Sequence, residues 1–244
     1  IGHIIINITH NMKIDIYKGQ EINSIEEWGN YARPKSDKHW KDGRSAKEMA
    51  KLALSDEFSN IISTILKELS IHETTYECEP EAKTYFGKGF GKGGPRNHDL
   101  LMIGNESVIG IEAKVSESFD KKVSEKSTAR VDALIKFLYG KDIEINKDKL
   151  FYQLLTSSVG TRKEALNNGK KKAVVLFITF NGNVYKEKQY EKHIKINTEA
   201  FSYFSESLRL NDSGKLVSIP GCDNNTECWI KHITVDIGST YKIV

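Results

Sequence analysis

Cysteine is scarce, with three in 244 residues: Cys78, Cys222 and Cys228. An odd count with no CxxC pair excludes a disulfide framework and a ribbon-type zinc site, and a reducing cytoplasm is the expected setting. Cys222 and Cys228 with His232 are too isolated to propose zinc ligation. No apolar run approaches the roughly 20 residues that a membrane helix needs. Net charge is also small: 36 basic against 33 acidic residues leave +3. That balance neither requires nor excludes a nucleic-acid partner, and local clustering decides more. The lysine groups at 121–122, 147–149, 170–172 and 186–195 read mostly as solvated helix ends and loops. The chain opens without Met on IGHIIINITHN, which lacks the basic region and cleavage site of a signal peptide. Residues 1–11 therefore read as an extension ahead of a first strand at Met12–Tyr17.

What is present is a soluble globular composition, 39% apolar and 28% charged. No repeat or low-complexity stretch divides it. A short helix is expected from Ser24. Ser45-Ala-Lys-Glu48 has the spacing of a capping box, opening a helix with Met49, Leu52 and Ala53 on one face. Phe58, Ile61, Ile62, Ile65, Leu66 and Leu69 repeat at helical spacing in a second. Residues 73–86, rich in Thr, Tyr and Phe, read as a strand, and 87–95 as a turn. Leu100–Ile103 and Val108–Val115 form a hairpin around Gly104-Asn-Glu-Ser. Two helices follow, around Val131–Leu138 and Tyr152–Leu166. Ala173–Phe180 is an unbroken apolar strand, covered on both faces. A helix at Thr198–Leu208 and strands near Leu216–Ile219 and Trp229–Ile237 complete the pattern. The expectation is one α/β domain over 1–244, with a mixed β-sheet flanked by helices. Its core lies at about 39–180, and 181–244 packs on it as a C-terminal addition.

Two stretches compete as sites. GFGKGG, Gly89 to Gly94, has the glycines of a dinucleotide fingerprint. Pro95 and a strand follow it, so no helix opens there to hold a pyrophosphate. A glycine-rich turn is the better account, and Lys88, Lys92 and Arg96 are placed to touch a phosphate backbone. The second stretch is HDLLMIGNESVIGIEAK, His98 to Lys114. If its two strands form a hairpin, Asp99 and Glu112 lie at the same end of neighbouring strands. Side chains alternate along a strand, so Glu112 and Lys114 share one face and Ala113 takes the other. Two carboxylates converging there call for a hard cation, Mg²⁺ or Mn²⁺, and the Ala113 carbonyl is free to join its shell. Lys114 would then steer a water or the charge on a phosphate. The same Lys114 could instead be a structural ion pair with Glu112 or Asp99.

Asp99 and Glu112-Ala-Lys114 resemble the motif of the PD-(D/E)xK nuclease superfamily, the restriction-endonuclease-like fold. Pro95 stands four residues ahead of Asp99, so the Pro-Asp pair itself is absent. The resemblance implies an αβββαβ core, which is also the order read from the pattern. Further stretches are similar to a bacterial family associated with that superfamily. They are His39-Trp-Lys-Asp-Gly-Arg-Ser-Ala46, Pro80-Glu81, Gly93-Gly94, Glu112–Lys114 with Glu117 and Phe119, Arg130-Val131 and Tyr152-Gln-Leu-Leu155. The resemblance implies a metal-dependent endonuclease acting on double-stranded DNA, in a bacterial restriction, defence or repair system. It also implies helpers: Glu81 as a further acidic residue and Gln153 as an orienting amide. A surface carboxylate and an ordinary polar helix position remain the alternatives for those two. Glu48 is explained by the capping box, and His98 reads as a hydrogen-bonded structural residue. A homodimer is compatible with cutting a duplex. The other function classes are a nucleic-acid-binding module without turnover and a structural subunit.

Overall fold

Strand and helix follow one another in the computed structural model largely where the periodicity changes. It describes residues 3–7, 14–17, 22–32, 34, 37–115, 117–126, 128–139, 145–182, 189–207, 217–218, 226–237 and 241–243. After strands β1 (His3–Asn7) and β2 (Ile14–Tyr17) come helices α1 (Ile25–Ala32), α2 (Ser45–Ala53) and α3 (Asp56–Glu68). Strands β3 (Thr75–Pro80), β4 (Lys83–Thr84), β5 (Arg96–Asn97), β6 (Leu100–Ile103) and β7 (Ser107–Val115) follow. Helices α4 (Thr128–Tyr139) and α5 (Tyr152–Asn167) lead to β8 (Lys172–Asn181). The chain then adds α6 (Gln189–Ser207), β9 (Val217–Ser218), β10 (Glu227–Asp236) and β11 (Lys242–Ile243).

The main sheet runs β11-β10-β8-β7-β6-β3-β1-β2, with β9 on β10. It is mixed. β7, β8 and β10 are parallel neighbours, while β6 pairs antiparallel with β7 and β3 antiparallel with β6. A parallel pair needs a long crossover, supplied by α4 and α5 between β7 and β8, and by α6 between β8 and β10. Strand alternation then divides the interior in two. Ile109, Ile111, Ala113 and Val115 of β7 and Val174, Leu176, Ile178 and Phe180 of β8 join Met49, Leu52, Phe58 and Ile62 on one face. Val108, Ala173, Val175 and Phe177 join Leu134, Leu138, Leu154 and Phe204 on the other. Helices therefore flank the sheet on both sides, and β8 is buried through its eight central residues. The fold is α/β, as the pattern indicated.

The structure differs from the sequence reading at several points. The segment expected to be an extension supplies β1, which lies between β2 and β3 and pairs with both. The expected strand over 73–86 breaks at Glu81, whose φ of 53° is left-handed, and leaves a separate β4–β5 pair. The capping box does not close. Arg44 is the N-cap of α2, the Ser45 hydroxyl donates to Glu117 some 70 residues away, and the Glu48 carboxylate accepts from the Gly43 N–H at 2.9 Å. Glu48 is fully buried, with the Lys51 ammonium at 3.0 Å and the Tyr241 hydroxyl at 3.2 Å. The last long helix begins at Gln189, nine residues before its apolar spacing is recognisable. Cys78 and Cys228 lie in opposite cores, and Cys222 and part of the expected 216–219 strand lie outside the described residues.

Candidate active site

The hairpin register places the two acidic residues opposite each other. Leu100 pairs with Ile111, so the next position along sets Asp99 against Glu112. The Asp99 N–H donates to the Ile111 carbonyl at 3.1 Å. Its carboxylate turns toward β7 and accepts from the Ala113 N–H at 2.7 Å. The Ala113 side chain enters the opposite core, leaving Glu112 and Lys114 on the α5 face with Gly110. Glu81 arrives from the turn after β3, where its N–H donates to the Asp99 carbonyl at 3.3 Å. The left-handed turn at Glu81 thus brings a third carboxyl to the same strand end.

The charges there are dense and poorly hydrated. Glu112 is 2% exposed, and its two oxygens face two cations: Lys114 at 2.7 Å on one and the Arg96 guanidinium on the other. Lys114 also stands 3.9 Å from Glu117. Burial raises the Glu81 carboxyl to about 7, and the neighbouring Asp99 charge pushes the same way, against Arg96, Lys114 and Lys83. Burial also lowers the Arg96 guanidinium to about 10, partly offset by Asp99 and Glu81. His98 is enclosed, with Nε2 2.9 Å from the Thr84 hydroxyl, and burial lowers it to about 3. It is a neutral structural group at neutral pH, as expected from its place beside a strand.

Asp99, Glu112, Lys114 and Glu81 are thereby brought to one strand end. Gln153, the second residue of α5, lines an adjoining cleft of about 360 Å³ with Arg96, Lys92 and Tyr152. Lys88 is exposed on the glycine turn. Arg96 departs from its expected place on an exposed loop: it is 9% exposed, within β5, and its head turns inward to Glu112. That pairing had no sequence signal, because sixteen residues and a strand reversal separate the partners. Arg130 was visible only as part of a family-like stretch, yet it donates to the Tyr152 hydroxyl at 2.6 Å and to the Gly94 carbonyl at 2.8 Å.

The donor set at the strand end suits a hard cation: carboxylate oxygens of Asp99, Glu112 and Glu81, and the Ala113 carbonyl. Burial is the main cause that raises Glu81; the Asp99 repulsion that adds to it is what a divalent ion relieves. Among the described residues no three acidic, His or Cys side chains are already grouped at metal-binding geometry. A cation at Glu112 has to displace Arg96 from it.

Residues 21–230 match the family model described as "Domain of unknown function (DUF6946)". No curated protein and no solved structure matches the chain. The family match takes in α1 through the start of β10, including every residue of the candidate site. The chain belongs to the DUF6946 family.

Proposed function

We propose that the protein is a metal-dependent phosphodiesterase acting on nucleic acid, most readily DNA, in a reducing cytoplasm. The observation that carries this reading is the convergence of Asp99, Glu112, Glu81 and Lys114 at one end of the β6–β7 hairpin. A buried Glu112 and Lys114 with two half-buried carboxyls at the same strand end have no need to exist for packing alone, and perturbed groups of this kind collect at functional sites.

Asp99 and Glu112 would hold Mg²⁺ or Mn²⁺, with the Ala113 carbonyl beside them; the ion supplies a more acidic water and charge neutralisation at phosphate. Lys114, held by Glu112, presents its ammonium to the reacting phosphate and stabilises the charge that grows there. Glu81, held at the same strand end by its N–H on the Asp99 carbonyl, is placed to assist with the attacking water. Gln153 sits one step outward, on the face where a strand would approach. A second reading, a binding module without turnover, draws on the Arg96–Glu112 pair, which closes the carboxylate to a cation.

The test is a cleavage assay on plasmid, linear and single-stranded DNA and on RNA with Mg²⁺, Mn²⁺ or EDTA. Metal-dependent cleavage that disappears in Asp99→Asn and Glu112→Gln supports the enzyme. Binding with steep salt dependence and no cleavage under any metal sinks it in favour of the module.

A further inference from the structure

We infer that the cleft between the glycine turn and the first turn of α5 is a subsite for a phosphate group of the nucleic-acid strand. Four cationic side chains line it, Lys92, Arg96, Lys126 and Arg130, against one carboxylate, Asp120, which Lys126 already engages at 2.9 Å. A cavity walled by such an excess of one sign concentrates anions. Its volume, about 360 Å³, accommodates a phosphate with its attached sugar.

Three features point the cleft at a ligand rather than at itself. Arg96 is more than nine-tenths buried and lines the cleft, yet its Nε has no hydrogen-bond partner. The Gln153 Oε1, buried in the same lining, likewise has none. The 16-residue α5 also begins here. Its Tyr152 N–H is taken by the Lys121 carbonyl at 3.0 Å, and the N–H groups of the next residues have no intrahelical acceptor. They carry the positive end of the helix dipole to the cleft. The glycine turn thus meets a helix N-terminus after all, one supplied from some 60 residues further along the chain.

Arg96 joins this subsite to the candidate active site, since the same side chain pairs with Glu112. A strand phosphate held in the cleft would lie beside the carboxylates and register the next phosphate on them. The inference rests on the phosphodiesterase reading only for the nature of the strand. The phosphate can be an internal diester or a terminal monoester, and the experiment separates the two.

The experiment measures binding of a labelled single-stranded DNA oligonucleotide, with hydroxyl ends or with a 5′-phosphate, to the full chain in EDTA. Wild type is compared with the double variant Lys92→Gln/Lys126→Gln and with a control double variant at the other end of the sheet, Lys170→Gln/Lys171→Gln. Expected is a loss of about tenfold for the cleft variant and none for the control. The slope of log affinity on log salt should fall by about 0.7, since that is what one phosphate contact on a single strand accounts for. Equal loss for both oligonucleotides identifies an internal diester. Loss confined to the phosphorylated one identifies a terminal group. Unchanged binding by the cleft variant, or equal weakening by the control, overturns the subsite.

If the double variant melts early, titrating wild type with inorganic phosphate and following its amide NMR shifts decides instead. Shifts clustered at Gly93, Gly94, Gln153 and Leu154 support the subsite, and shifts scattered elsewhere overturn it. Because no metal is present, a failure here leaves the cleavage reading standing. A wild type that binds as expected but never cleaves removes that reading alone.

Discussion

Lys114 lies 7% exposed with its ammonium on Glu112, and this changes what its removal should do. A lysine at an open sheet edge would be nearly free to truncate. Here Lys114→Ala unbalances a buried carboxylate, although Arg96 still neutralises it. A moderate cost of about 1–3 kcal/mol is expected by thermal melting. Cleavage in Mg²⁺ should fall by at least about 10²–10³-fold, with DNA affinity in Ca²⁺ changed much less. A mutant cutting at the wild-type rate would remove Lys114 from the chemistry. Glu81 makes a prediction about pH. Its folded carboxyl is raised above the ordinary 4.5 to about 7, so the protonated form is the one the fold favours. The stability it contributes is complete below about pH 4.5 and is lost as pH rises through about 7. Glu81→Gln should therefore melt progressively higher than wild type from pH 5 to pH 8 in EDTA. Parallel melting curves for the two proteins across that range would contradict the assignment.

At the scale of elements, the glycine turn has a physical role that does not involve a nucleotide. A Cβ at Gly93 would run into the Arg130 guanidinium, which Tyr152 and the Gly94 carbonyl hold in place. At Gly94 a Cβ meets open space. Gly93→Ala should consequently cost about 1–3 kcal/mol by overpacking and weaken DNA binding, whereas Gly94→Ala should stay within about 0.5 kcal/mol of wild type. Chemical denaturation of the pair checks this, and equal effects would mean that Arg130 moves aside without cost. Gly91, with φ of 69° and Arg130 backbone within 3.6 Å of its missing Cβ, belongs to the same packing. The turn is built around an arginine of α4.

At the scale of the whole molecule, β10 matters most. It pairs in parallel with β8 along ten residues, and Cys228 and Ile230 enter one core while Ile233 and Val235 enter the other. No described helix is long and apolar enough to cross a membrane. If residues 181–244 are part of the same cooperative unit as the core, damage to β10 must lower one common transition. Ile230→Asp places a charge at a fully buried position of a sheet strand, with an expected cost of about 3–5 kcal/mol. Calorimetry should then show a single peak moved to lower temperature. Two separated peaks, with the upper one unmoved, would divide the chain into two units.

Much of this was legible in the chain because it depends on local periodicity. The period of two in Val108–Val115 places Glu112 with Lys114 and puts Ala113 across the sheet, and an unbroken apolar run like Ala173–Phe180 has to be covered on both faces. Asp99 opposite Glu112 follows from the length of one hairpin turn. What only the tertiary structure decided are the partners brought from far away in the sequence. Ser45 turns to Glu117 instead of its own helix, Arg96 turns inward to Glu112, and α5 brings Tyr152 and Gln153 to the glycine turn. A side-chain spacing specifies which face a residue is on. It does not specify which distant charge waits there, because that depends on how layers stack, and stacking is set by the packing of both cores at once.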